Sequence, residues 1–162
     1  MRQSNHSRTE PILRRRTGTF APSRDGPDEA MARRRKPPLF VAIVDDDAGV
    51  RAGIESLLNA TGVRTRGFAS AELFLRFKER ATAGCLILDM RLPGMSGLEL
   101  QRQLQAKGLG IPAIFVTAED DADGQLRAQI EQAGALAVLR KPCDSEELTR
   151  LVQAALDAQR LR

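Results

Sequence analysis

The chain of 162 residues carries 25 Lys and Arg against 21 Asp and Glu, with 6 Phe, 2 Cys and neither Trp nor Tyr. This length suits one domain with a real core and is short for two. Ten basic and four acidic side chains fall in residues 1–38, so the formal charge of +4 combines a basic N-terminal segment with a mildly acidic remainder. That distribution argues against nucleic-acid or membrane binding across the folded body.

The sequence shows no targeting segment and no sign of a disulfide framework. The apolar stretches fall far short of the ~20 residues that span a bilayer, and residues 1–20 lack the apolar centre of a secretory signal. Cys85 lies in an apolar run and Cys143 follows a proline, which suits a reduced protein better than a disulfide framework. We therefore expect a cytoplasmic protein without a membrane partner.

Residues 1–38 are predicted to form a disordered basic tail. They contain the runs Arg14–Arg16 and Arg33–Lys36 and almost no apolar periodicity, so they cannot bury enough surface to offset the entropy of ordering. Two interpretations of this segment stay open: translation that starts at Met31, or a basic arm for nucleic acid or an acidic surface. The folded domain is predicted over residues 39–160.

From Leu39 onward, apolar runs alternate with amphipathic segments, which is typical of βα repeats around a mostly parallel sheet. Strands are predicted at Leu39–Val44, Val63–Phe68, Cys85–Leu88, Ala113–Val116 and Leu136–Leu139. The second alternates with charged residues and is placed at a sheet edge. The other four are continuously apolar, as expected of strands that helices cover on both faces.

Five helices are predicted between and after the strands. Ser70 is a candidate cap for the second, and capping-box patterns open the third (Ser96 with Glu99) and the fifth (Asp144 with Glu147). The fourth, over residues 121–133, is the most polar, and an interior Gly124 is expected to weaken it. The apolar residues expected to face the core are Val50, Ile54, Leu57, Leu58, Leu73, Phe74, Phe77, Leu98, Leu100, Leu104, Leu126, Ile130, Leu148, Leu151, Val152 and Leu156.

Unusual polar residues follow the predicted strands. They are Asp45, Asp46 and Asp47 after the first strand, Asp89 after the third, Thr117 after the fourth and Lys141 after the fifth. In a doubly wound sheet of order 2-1-3-4-5, the carboxyl ends of strands one and three meet where ligands bind. Asp45, Asp46 and Asp89 should therefore converge beside Thr117 and Lys141, whereas Asp47 is expected mainly to begin the first helix.

Carboxylates brought together repel each other unless a counter-charge neutralises them. A Mg²⁺ ion held by one or two carboxylates, a carbonyl and water would do so. Lys141 adds a compact positive charge suited to phosphate. The set therefore indicates a Mg²⁺-assisted phosphoryl site with a carboxylate nucleophile.

Four separated motifs strengthen this interpretation. The motifs are Ile43–Asp47, Leu86–Gly97, Phe115–Ala118 and Lys141–Pro142. Together they resemble the signature of bacterial two-component response-regulator receiver domains. They are similar in particular to the receivers of nitrogen-fixation and nodulation regulators. The resemblance implies a flavodoxin-like fold over residues 39–160. It also implies that Asp89 accepts a phosphoryl group from a sensor histidine kinase, and that Asp46, Asp89 and the backbone carbonyl of Arg91 bind Mg²⁺, with Asp45 acting mainly through water.

The resemblance assigns further roles near the last two strands. Thr117 would hydrogen-bond the phosphoryl oxygens, Lys141 would pair with the developing charge, and the Lys141–Pro142 bond would be cis. Receivers usually carry an aromatic residue where this chain has Val138, which puts their aromatic switch in doubt. Arg91 and Glu119 should face each other at the mouth of the crevice and slow hydrolysis of the acyl phosphate.

The predicted function is that of a single-domain switch which catalyses only its own phosphorylation and dephosphorylation. Its output would pass to a downstream protein or phosphotransfer partner, or through a phosphorylation-dependent homodimer. The resemblance implies that docking uses the fourth helix, fifth strand and fifth helix. The alternatives are a truncated transcription regulator, a haloacid-dehalogenase-like phosphatase and a pseudo-receiver. The complete polar set argues against the last.

Overall fold

The apolar runs form one parallel sheet in the computed structural model, which describes residues 37–118 and 124–162. Within these ranges the strands are β1 Phe40–Val44, β2 Thr65–Phe68, β3 Ala83–Leu88, β4 Ala113–Thr117 and β5 Ala137–Arg140. Their order is β2-β1-β3-β4-β5, and every neighbouring pair is parallel. The predicted doubly wound, flavodoxin-like topology is confirmed.

Strand burial follows position in this order. All residues of β1, β3 and β4 are buried, whereas in β2 only Phe68 is buried and Arg66 is exposed, as suits an edge strand. The expectation that the fifth strand is covered on both faces is wrong. In β5 only Leu139 is buried, because the strand lies at the opposite edge, and Leu136 just before it is 46% exposed.

Helices connect the strands. Among the described residues they are α1 Ala48–Ala60, α2 Ala71–Arg76, α3 Gly97–Ala106, α4 Gln125–Gln132 and α5 Ser145–Arg160. A short 3₁₀ turn at Arg80–Thr82, which the pattern did not predict, leads into β3.

The helix starts agree with the sequence chemistry in most cases. Ser70 caps α2, and Ser96 with Glu99 forms the complete capping box of α3. Asp144 caps α5 by accepting a hydrogen bond from the Glu147 N–H. Gly124 is not interior to α4 as expected. It precedes the helix at φ +68°, a left-handed conformation that glycine adopts at low cost.

The core forms two apolar layers, one on each face of the sheet. Alternate strand residues divide between the layers, so that in β1 Val44 joins one and Ile43 the other. Helices α2, α3 and α4 cover the first layer, and α1 and α5 cover the second. Leu73 was expected to face inward but is 49% exposed, because the six-residue α2 presents only one narrow face, which Phe74 occupies.

Several sequence expectations lie outside the described residues. They concern residues 1–36 with Met31, Glu119, and the first part of the predicted fourth helix. Within residues 37–118 and 124–162, no helix has the length and apolar character needed to cross a membrane.

Candidate functional site

The sheet register brings the two acidic strand ends together. Val44 of β1 pairs with Leu88 of β3, so the residues that follow them, Asp45 and Asp89, are neighbours. The Asp89 N–H donates to the Val44 carbonyl at 2.9 Å. On the other side of β3, the Lys141 N–H donates to the carbonyl of Thr117 at 2.9 Å, which places the lysine just beyond the end of β4.

Lys141 joins two of these carboxylates directly. Its Nζ donates to Asp45 Oδ2 at 2.6 Å and to Asp89 Oδ2 at 3.1 Å. Partial burial lowers the pKa of this ammonium group, but the hydrogen bonds and charges of Asp45 and Asp89 outweigh burial and the pKa is raised. Lys141 therefore remains a fixed cation in the crevice.

Three carboxylates surround one point at the edge of the sheet. One ligand oxygen from each of Asp45, Asp46 and Asp89 lies within 4.8 Å of the others. Asp45 is 3% exposed and Asp89 9%, whereas Asp46 faces solvent. Oxygen donors this close, two of them buried, match the preference of a hard divalent cation. The residues present therefore fit Mg²⁺.

The loop from β1 to α1 is held by its own acidic residues. Asp47 caps α1 by accepting from the N–H groups of Val50 and Gly49, and these two hydrogen bonds lower its pKa. The Asp47 N–H in turn donates to Asp45 Oδ1 at 2.9 Å. As expected, the main role of Asp47 is to cap the N-terminus of α1.

Arg51 is a neighbour of the site that the sequence analysis missed. Its guanidinium donates to the backbone carbonyl of Asp45 at 2.6 Å. It thereby holds the peptide between Asp45 and Asp46 and places a positive charge beside the acids. An arginine one turn into the helix that follows three aspartates was the available signal.

The opposite side of the crevice is the loop after β3. The Arg91 N–H donates to Asp89 Oδ1 at 3.1 Å, and Arg91 is an exposed residue. Gly97, the buried first residue of α3, lies against the Asp89 carbonyl so closely that a Cβ would not fit. This close approach was also missed.

The residues near β5 complete the crevice. Thr117 is 5% exposed at the end of β4, and the Lys141–Pro142 bond is cis, as the resemblance implied. A cleft of about 240 Å³ lies beside Thr117 and Val138, between α4 and β5. Cys143, which follows the proline, is half-buried against the α1 and α5 layer. The expected pairing of Arg91 with Glu119 falls outside the described residues.

A doubly wound parallel sheet with buried acids and a lysine at its carboxyl edge defines an α/β domain whose ligand crevice lies at that edge. The sequence model of the response regulator receiver domain matches residues 41–153, and the chain belongs to this family. Receivers are phosphoacceptor modules of two-component signalling that generally bind Mg²⁺ at an acidic pocket and interact with histidine kinases and downstream effectors.

Known relatives agree with this assignment. The chain is 41% identical over 116 residues to the response regulator protein TodT of Pseudomonas putida, a match that covers 72% of this chain and 50% of TodT. It is 36% identical over 123 residues to nodulation protein W of Bradyrhizobium diazoefficiens, covering 76% of this chain and 53% of that protein. The crystal structure of FixJ-N matches with a TM-score of 0.67 and 31% identity over 75% of this chain and 96% of that one. The chain thus spans about half the length of the curated relatives it matches.

Proposed function

We propose that this receiver is a switch in which Asp89 accepts a phosphoryl group from the phosphohistidine of a sensor kinase. The observation that carries the proposal is the meeting of Asp45, Asp46 and Asp89 at one point beside the Lys141 ammonium. An Asp89 oxygen attacks phosphorus, the P–O bond forms as the P–N bond breaks, and the imidazole leaves with its proton. The activity proposed is confined to the protein's own phosphorylation and dephosphorylation.

The surrounding side chains have distinct parts in this proposal. Asp46, Asp89 and the backbone carbonyl of Arg91 would hold Mg²⁺, with Asp45 acting through bound water. Bound Mg²⁺ would neutralise charge on the phosphoryl oxygens. Lys141 is held in the crevice by Asp45 and Asp89, where it can stabilise the charge that develops.

Thr117 is the remaining member of the proposed set. It is buried at the carboxyl end of β4, where its hydroxyl would donate to a phosphoryl oxygen. Its backbone carbonyl also fixes the start of the Lys141 segment. Movement at Thr117 on phosphorylation would therefore reach the neighbouring β5. Because Val138 stands where receivers usually carry an aromatic residue, the proposed switch works without an aromatic side chain. The adjoining cleft of about 240 Å³ leaves room for Thr117 and β5 to move.

We further propose that output passes by docking on the surface of α4, β5 and α5, to a phosphotransfer or effector protein or a second copy of the chain. Leu136 is 46% exposed at this surface, in a cleft of about 200 Å³. A second candidate is a regulator with a covalent output module, because the chain spans about half of TodT. The intact mass of the protein purified from its natural source distinguishes the two. The family match leaves the phosphatase alternative without support.

The central test is direct phosphorylation. The full chain is incubated with Mg²⁺ and acetyl phosphate, and intact mass spectrometry measures a base-labile gain of one phosphoryl group. The gain should be absent from Asp89→Ala and present in Asp47→Asn, which alters a neighbouring acid outside the three-carboxylate cluster. A wild-type protein that stays unmodified with acetyl phosphate and with phosphoramidate would identify a pseudo-receiver instead.

A further inference from the structure

Helix α2 contacts the loop that connects β3 to α3, residues 90–96. Oε1 of Glu72, the second residue of α2, accepts a hydrogen bond from the Met95 N–H at 2.9 Å, across 23 residues of sequence. This hydrogen bond is the main reason that the pKa of the Glu72 carboxyl is lowered. The acceptor is therefore a carboxylate, which makes a stronger hydrogen bond than a neutral oxygen.

The loop is shaped to receive this carboxylate. Gly94 has φ +79°, and a Cβ there would lie 2.6 Å from Glu72 Oε1. A side chain at that position would push the carboxylate away from the Met95 N–H. Glycine thus provides both the left-handed backbone and the space in which Glu72 lies.

Two other hydrogen bonds of this loop run to residues close in sequence. The Arg91 N–H donates to Asp89 Oδ1 at 3.1 Å, and the Ser96 N–H donates to Glu99 Oε2 at 2.8 Å. These bonds fix the two ends of the loop to β3 and α3. The bond from Met95 differs from these two because it joins the loop to α2, a helix of the same layer, and so restrains the position of the segment as a whole.

We propose that Glu72 is a positioning residue for the metal site: it fixes the β3–α3 loop and thereby the place of the Arg91 carbonyl. This inference rests on the proposed function, which assigns that carbonyl to Mg²⁺. Glu72 touches neither the ion nor Asp89. It acts through the backbone of Gly94 and Met95, three and four residues after the carbonyl it positions.

The test compares variants of the full chain by ¹⁵N NMR. Glu72→Ala removes the acceptor, and Glu72→Gln retains an acceptor oxygen without the charge. Glu79→Ala is the matched control, since it removes the same charge from an exposed position beyond the end of α2. Exchange of the Met95 amide proton is measured without metal, and Mg²⁺ affinity is measured by titration of the backbone amides.

We expect Glu72→Ala to speed exchange of the Met95 amide proton about tenfold, because one hydrogen bond is lost. The same change should weaken Mg²⁺ binding about fivefold. This is just below the effect of removing a residue that hydrogen-bonds a metal-coordinating group directly. Glu72→Gln should restore most of both values, and Glu79→Ala should match the wild type. Equal Mg²⁺ affinity in Glu72→Ala and Glu79→Ala would overturn the inference, as would a failure of Glu72→Gln to restore it.

Two further outcomes are separable. If Glu72→Ala is unfolded, Gly94→Ala disturbs the same contact from the loop side and should weaken Mg²⁺ binding while Glu72 is retained. Unchanged binding in a folded Gly94→Ala protein would count against the inference. A wild-type chain that binds no Mg²⁺ refutes the proposed function itself, independently of how the variants compare.

Discussion

Gly97→Ala is expected to destabilise the fold and disturb the phosphoacceptor together. Gly97 begins α3 and lies directly beneath the carbonyl of Asp89. An added Cβ would overlap that oxygen and would stand 3.2 Å from Cε1 of Phe115, a fully buried ring. Neither neighbour is the flexible end of a side chain, so the helix start must move away from β3.

The magnitude follows from two opposing effects. Inserting a methyl into a packed site costs about 1–3 kcal/mol, and the upper half applies here because one neighbour is backbone and the other is core. Replacing glycine by alanine in a helix gains at most about 1 kcal/mol, and less at a first helical position. The net expectation is a loss of about 2 kcal/mol, equal to a fall of about 1 M in the urea midpoint.

Urea unfolding followed by far-ultraviolet circular dichroism measures this loss, since the chain has no Trp or Tyr for fluorescence. Gly53→Ala is the matched control. Gly53 lies inside α1 with nothing within 4 Å of an added Cβ, so this variant should gain about 0.5–1 kcal/mol. A Gly97→Ala protein as stable as the wild type, with unchanged acetyl phosphate reactivity at Asp89, would refute the steric reasoning.

Three further predictions concern caps, core and thiols. Hydrogen bonds from the Val50 and Gly49 N–H groups lower the folded-state pKa of Asp47, so its stabilising contribution is present above the unfolded pKa of about 4 and is lost as pH falls through the folded value. Asp47→Ala should therefore lower the urea midpoint at pH 7, and the difference from the wild type should shrink steadily as the pH is lowered below about 4. Phe74 is fully buried, and Phe74→Ala should cost about 3–5 kcal/mol in the same assay. Burial raises the pKa of the Cys85 thiol to about 12. Iodoacetamide at pH 8 should therefore label half-buried Cys143 first. Cys85 should be labelled only as fast as the protein opens locally or unfolds. Equal labelling rates in the native protein would contradict this burial argument.

The alternation of strands with helices and the acidic crevice could be predicted because their signals are local. Buried parallel strands require continuous apolar runs, and a polar residue directly after such a run must lie at the carboxyl edge of the sheet. Asp45 and Asp89 each follow a continuous apolar run directly, so their place at this edge could be predicted. The helix caps at Ser70 and Ser96 were equally readable, because a cap bonds to an N–H within its own first turn.

Errors arose where position in the sheet or a close approach decides the outcome. Apolar content alone suggested that helices cover the fifth strand on both faces, although its place at the edge leaves β5 partly exposed. Helical periodicity suggested that Leu73 faces inward, but a helix as short as α2 has no second buried row. Gly124 looked like a defect inside a helix and instead supplies a left-handed start.

The sequence by itself determined the alternation of strands and helices, the caps, and the set of acids with a lysine that indicates a phosphoryl site. These depend on the polarity and period of neighbouring residues. Only the tertiary structure decided that Lys141 reaches Asp45 across 96 residues, and that the Glu72 carboxylate lies over Gly94. Such contacts depend on how separate layers pack, at a scale of tenths of an ångström that no local pattern records.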